Sequence, residues 1–79
     1  MKILKFYTET CMPCKLVGKM LDKMDVEVEA INAIEDIAKV DEYNVCTTPT
    51  LIFLNEEGTE VDRLSGIVTE AQIKNILNK

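Results

Sequence analysis

Histidine is missing altogether and only three cysteines are present, so a zinc site would have few ligands to draw on. Structural zinc is held by four ligands. Cys11 and Cys14 form the single Cys-X-X-Cys; Cys46 can add a third thiolate and a carboxylate a fourth, but there is no second pair. A metal module is therefore the lesser reading. Three cysteines are also too few, and odd in number, for the disulfide framework of a small secreted scaffold. In a reducing compartment a lone Cys-X-X-Cys reads first as redox chemistry. Glycine and proline are scarce, with three and two copies, which argues for an ordered chain and against disorder. Long apolar runs are lacking: the longest, Leu51 to Leu54, falls far short of the ~20 residues of a membrane span. No signal-peptide core follows Met1, and a cytoplasmic location is expected. Basic clusters and aromatic platforms are lacking as well, and the net charge is −5. Nucleic acid and anionic membrane are not expected as partners.

What is present fits one ordered domain spanning residues 1–79, with 47% apolar and 29% charged residues. Lys2 to Thr8 is rich in β-formers and nearly continuous in apolar character, as in a strand buried on both faces. Pro13 falls where a helix begins, a position that tolerates its missing N–H. Leu16, Val17, Met20, Leu21 and Met24 then recur at the spacing of one helical face, and the helix is expected to end near Asp25. Val26, Val28 and Ala30 alternate with Glu27 and Glu29, which predicts a second strand with one wet face. Ile34, Ile37 and Ala38 mark a short second helix that fades at Asp41 to Asn44, before a loop from Val45 to Pro49. Thr50 to Leu54 reads as a central strand, Asn55 to Gly58 as a turn, and Thr59 to Leu64 as its antiparallel partner. Gly66 breaks the pattern, Thr69 is placed to cap a last helix over Glu70 to Asn78, and Ile73, Ile76 and Leu77 would dock it while Lys74 and Lys79 stay in water. The order is βαβαββα. It predicts an α/β fold with one four-stranded mixed sheet, a parallel crossover between the first two strands, and three helices covering both faces.

Within that plan the stretch Cys11-Met12-Pro13-Cys14 stands where the first strand runs into the first helix. Unpaired N–H groups and the helix dipole at such a terminus favour a negative charge, and a thiolate is one. Cys14 follows one turn further in, close enough to close a disulfide with Cys11. Ligand chemistry in sheets of this kind sits beyond the carboxyl ends of the parallel strands. Position and chemistry agree on a dithiol able to attack, bridge and reopen.

The element order, the Cys11-Met12-Pro13-Cys14 junction and Thr48-Pro49-Thr50 at the entry to the third strand resemble the thioredoxin family. The resemblance covers essentially the whole chain; the N-terminal strand and helix of full-length thioredoxins have no counterpart. It implies that Cys11 is the attacking cysteine and Cys14 the resolving one, both catalytic. It further implies that Pro49 follows a cis bond opposite the disulfide, and that Gly66 borders the substrate groove. Met12, Pro13 and Thr48 join Pro49 and Gly66 as expected substrate contacts. The implied function is reduction of protein disulfides by a monomer that needs no cofactor. Electrons would come from a thioredoxin-reductase-type flavoenzyme, or alternatively from glutathione. The thioredoxin branch is favoured over the glutaredoxin one, because Pro13 directly precedes Cys14 and no Gly-Gly pair follows the last strand. A redox sensor that switches without turning over is the other alternative.

Three positions depart from the family pattern. Thr10 stands where a tryptophan usually precedes the first cysteine, Lys19 where a proline kinks the helix, and Lys5 where a buried acid lies below the second cysteine. Lys5 is read as an edge residue whose ammonium reaches water. The alternative puts it beneath Cys14, where a cation would lower the thiol pKa values. Phe6 and Tyr7 are read as packing residues, and Cys46 as a partly buried small residue with no part in the chemistry.

Overall fold

The computed structural model describes residues 1–78. Its elements are β1 (Lys2–Tyr7), α1 (Met12–Asp22), β2 (Glu27–Asn32), α2 (Ile37–Glu42), β3 (Thr50–Leu54), β4 (Glu60–Ser65) and α3 (Glu70–Leu77). The strands form one mixed sheet in the order β2-β1-β3-β4. β1 pairs with β2 in parallel and with β3 antiparallel, and β3 pairs antiparallel with β4. The βαβαββα order and the mixed sheet are those expected. Lys79, expected in water, lies outside the described residues.

Alternation along β1 sends side chains to two cores. Ile3 joins Val17 and Leu21 of α1, Leu51 and Phe53 of β3, and Ile73 and Ile76 of α3. Leu4 and Phe6 join Ile31, Ile52 and Leu54 on the opposite face, closed by Val40, Tyr43 and Val45. Each core is therefore a sheet face covered by helix, with α1 and α3 on one side and the α2 region on the other. All five residues of β3 are buried, as a strand covered on both faces requires.

Local chemistry explains the boundaries. The Thr69 hydroxyl accepts from the Gln72 N–H at 3.2 Å and the Gln72 side chain accepts from the Thr69 N–H at 2.9 Å, a reciprocal cap that starts α3. Asn55 Oδ1 accepts from the N–H groups of Glu57 and Thr59, which closes the β3–β4 turn.

Several sequence expectations need correction. α1 ends at Asp22 rather than near Asp25, and Leu16 is 58% exposed instead of buried. The buried stripe of α1 is Cys14, Val17 and Leu21, so the helix is rotated toward its second cysteine. β2 starts at Glu27 and continues to Asn32; Ala30 is exposed and Ile31 buried. Both faces of β2 are used, because Glu29 is neutralised in place by Lys2 and Lys39, each 2.8 Å away. Ile34 and Ile37 are exposed, and so is Ala38. The chain instead turns at Asn32, whose Oδ1 accepts from the Ile34 and Glu35 N–H groups, and Asp36 caps α2 by accepting from the Lys39 N–H. Val40 and Tyr43 become the docking residues, with Tyr43 edge-on to Phe6 at 6.1 Å between ring centroids.

Candidate active site

Where β1 ends, the chain makes one tight turn before α1: the Cys11 N–H donates to the Thr8 carbonyl at 3.2 Å. Cys11 is the N-cap residue, in extended conformation, and its sulfur accepts a hydrogen bond from the Cys14 N–H at 3.1 Å. A sulfur thus occupies the place usually taken by a capping oxygen. Pro13 lies in the first turn, where the ring fits the helix and no bond is lost. Cys11 and Cys14 are joined as a disulfide with Cα atoms 5.2 Å apart. Their surroundings differ sharply. Cys11 is half-buried at the helix tip, whereas Cys14 is 3% exposed and turned into the molecule. Once reduced, the sulfur at the tip gains most from the N-terminal N–H groups and the dipole, and it is the one an incoming disulfide can reach.

The other expected residues come from the far side of the sheet end. The Thr48–Pro49 bond is cis. Pro49 is fully buried, and the Thr50 hydroxyl donates to the Thr47 carbonyl at 2.7 Å, which fixes the bend before β3. Gly66 has φ +76°, a conformation open chiefly to glycine, and its N–H donates to the Pro49 carbonyl at 3.0 Å. Register then decides the location. Phe6 pairs with Thr50 and Thr50 with Ser65, so Pro49 and Gly66 lie at the sheet end from which β1 runs out toward Cys11. Cys11, Met12, Pro13, Cys14, Thr48, Pro49 and Gly66 therefore share one end of the molecule. Met12 is 65% exposed there. Ile67, 86% exposed and next to Gly66, is a further apolar residue of this end that sequence reasoning missed. Its only signal was adjacency to the glycine.

Lys5 is not an edge residue. β1 has a strand on each side, and Lys5 pairs with Ala30 on one and Leu51 on the other. Its side chain shares the α1 face with Ile3. The ammonium stands 5.5 Å from the Tyr7 ring centroid, and a Cβ added at Gly18 would lie 3.1 Å from it. A cavity of about 460 Å³ lies here, lined by Lys5, Tyr7, Cys14 and Gly18 among others. Tyr7, expected only to pack, thus faces a cation.

Cys46 is exposed rather than partly buried; its thiol donates weakly to the Asn44 carbonyl at 3.8 Å. Among the described residues no group of three or more cysteines and carboxylates could hold a metal ion, and no helix is long and apolar enough to cross a membrane.

The resemblance read from the sequence extends to known proteins. The family model described as a thioredoxin-like domain matches residues 2–79. The thioredoxin of Chlamydia caviae is 30% identical over 82 residues, an alignment covering 98% of this chain and 79% of that protein. A prophage-derived thioredoxin-like protein of Bacillus subtilis is 27% identical over 66 residues, covering 84% of this chain and 82% of its own. Among solved structures, a thioredoxin variant from Halobacterium salinarum superposes with TM-score 0.87 at 25% identity, covering 98% of this chain and 71% of that one. Thioredoxin 1 of Thermosipho africanus superposes with TM-score 0.82 at 27% identity, covering 99% and 91%. Fold, cysteine pair and relatives agree: this chain belongs to the thioredoxin family.

Proposed function

We propose that this protein is a thiol–disulfide oxidoreductase that reduces protein disulfides through Cys11 and Cys14 in a reducing compartment such as the cytoplasm. The observation that carries this reading is the asymmetry of the pair: one sulfur caps a helix and is reachable, the other is buried one turn behind it. The Cys11 thiolate attacks a substrate disulfide, forms a mixed disulfide and expels one substrate sulfur as a thiolate. Cys14 then gives up its proton and attacks the Cys11 sulfur. The Cys11–Cys14 disulfide closes, the second substrate sulfur leaves, and two electrons have passed to the substrate. An extended substrate segment lies along the backbone at Thr48 and Pro49, held by main-chain hydrogen bonds. Met12 and Ile67 add apolar contact on either side. A thioredoxin-reductase-type flavoenzyme returns the electrons.

The test is reduction of insulin disulfides with two donor systems supplied in parallel. Turnover with NADPH and a thioredoxin reductase, abolished by Cys11→Ser, is the expected result. Efficient turnover with glutathione alone would replace the flavoenzyme as donor. No reduction with any donor, dithiothreitol included, would overturn the oxidoreductase reading.

A further inference from the structure

The cavity beneath α1 holds a cation whose place the exchange chemistry has not yet used. Among the described residues Lys5 forms no ion pair; its ammonium stands over the Tyr7 ring. It reaches the backbone of α1 at Gly18, where an added Cβ would lie 3.1 Å from the ammonium. Positions 14 and 18 are neighbours on one helix face, about 5–6 Å apart at Cβ. The ammonium therefore meets α1 one turn beyond Cys14, and Lys5 and Cys14 line the same cavity, of which Cys11 lines no part. The remaining charges around it are Glu9 and Asp22 against Lys15 and Lys19. Two of each sign offset one another in number, so Lys5 leaves the cavity lining with one positive charge in excess.

We propose that Lys5 is a positioning residue for the resolving step: its ammonium stabilises the Cys14 thiolate and so favours attack of Cys14 on the mixed disulfide at Cys11. This rests on the dithiol-exchange reading. The proton lost by Cys14 ends on the departing substrate sulfur, the Cys14–Cys11 bond forms and the Cys11–substrate bond breaks, so no separate base is required. Because the thiolate of the reduced form is stabilised, the same cation makes the pair a stronger oxidant than it would be without it.

The experiment titrates Cys14 alone, in protein carrying Cys11→Ser and Cys46→Ser, by thiolate ultraviolet absorbance against pH. Lys5→Met should raise the midpoint by about one pH unit, the lower end of what a nearby opposite charge produces. Lys5→Gln should do the same, and Lys5→Arg should keep most of the wild-type value. With all cysteines present, Lys5→Met should slow product release from the mixed disulfide about three- to fourfold at neutral pH, the loss of thiolate being partly offset by its greater nucleophilicity. Formation of the mixed disulfide at Cys11 should be unchanged. A midpoint unmoved by both neutral variants, or Lys5→Arg behaving like Lys5→Met, would overturn the proposal. The titration needs no turnover, so it stays decisive even if the insulin assay fails.

Discussion

Glu29 shows how a single charged residue can be placed by its neighbours rather than by its own preference. It points to the α2 side of an edge strand, hydrogen-bonded by Lys2 and by Lys39, and these two ammonium groups hold its carboxyl down at about 2 against an ordinary 4.5. Lys2 and Lys39 are raised in return, each chiefly by its hydrogen bond to Glu29. Since the folded value is the lower one, the stabilisation is complete above pH 4.5 and is lost as the pH falls toward 2. The group is solvent-exposed, so the effect on stability is small and screened by salt. An NMR titration of the Glu29 carboxyl should find its midpoint near 2, and Lys2→Met or Lys39→Met should each move it up toward 4.5. A midpoint already near 4.5 in the wild type would mean the bridge is not formed in solution. Alternation alone does not reveal this, because it puts Glu29 on the wet face, and its partner Lys39 is ten residues away.

At the scale of elements, the helices show where the periodic reading succeeds and where it fails. In α3 the cap at Thr69 and the docking of Ile73 and Ile76 were legible, because a capping box and a clean 3.6-residue stripe coincide. In α1 the apolar stripe from Leu16 to Met24 includes one residue too many: Cys14, one turn in and toward the sheet, shares the buried face with Val17 and Leu21, and Leu16 is left outside. In α2 the apolar residues Ile34 and Ile37 outweighed Asn32 and Asp36, although the two side-chain caps decide where a six-residue helix starts. Gly18 offers a test of the α1 account. A glycine inside a helix costs roughly 0.5–1 kcal/mol relative to alanine. Among the described residues, and its own helix aside, the one atom within 4 Å of a Cβ at Gly18 is the Lys5 nitrogen, the free end of a flexible chain that can yield a few tenths of an ångström. Gly18→Ala should therefore stabilise the protein by about 0.5–1 kcal/mol, raising Tm by roughly 2–8 °C in a domain of this size. A fall in Tm would show that the ammonium is held too firmly to move.

Across the whole molecule, the sheet brings together groups that are far apart in sequence. The β1–β3 and β3–β4 registers carry Pro49 and Gly66 to the end where α1 begins, and neither register can be read from local pattern alone. The order of elements along the chain and the cysteine junction were legible because a fully apolar β3 and a Cys-X-X-Cys before a helix are local signals. The interior position of Lys5 was not, since it depends on β1 having a neighbour on each side. What the assembled end is proposed to do is attack with Cys11 and resolve with Cys14. The most direct measurement is to mix reduced Cys14→Ser protein with insulin and map the resulting mixed disulfide by mass spectrometry, with Cys46, the exposed third thiol, as internal control. The account predicts a stable adduct linked at Cys11, released by dithiothreitol and absent from Cys11→Ser. An adduct linked at Cys46, or one formed by Cys11→Ser but not by Cys14→Ser, would contradict it.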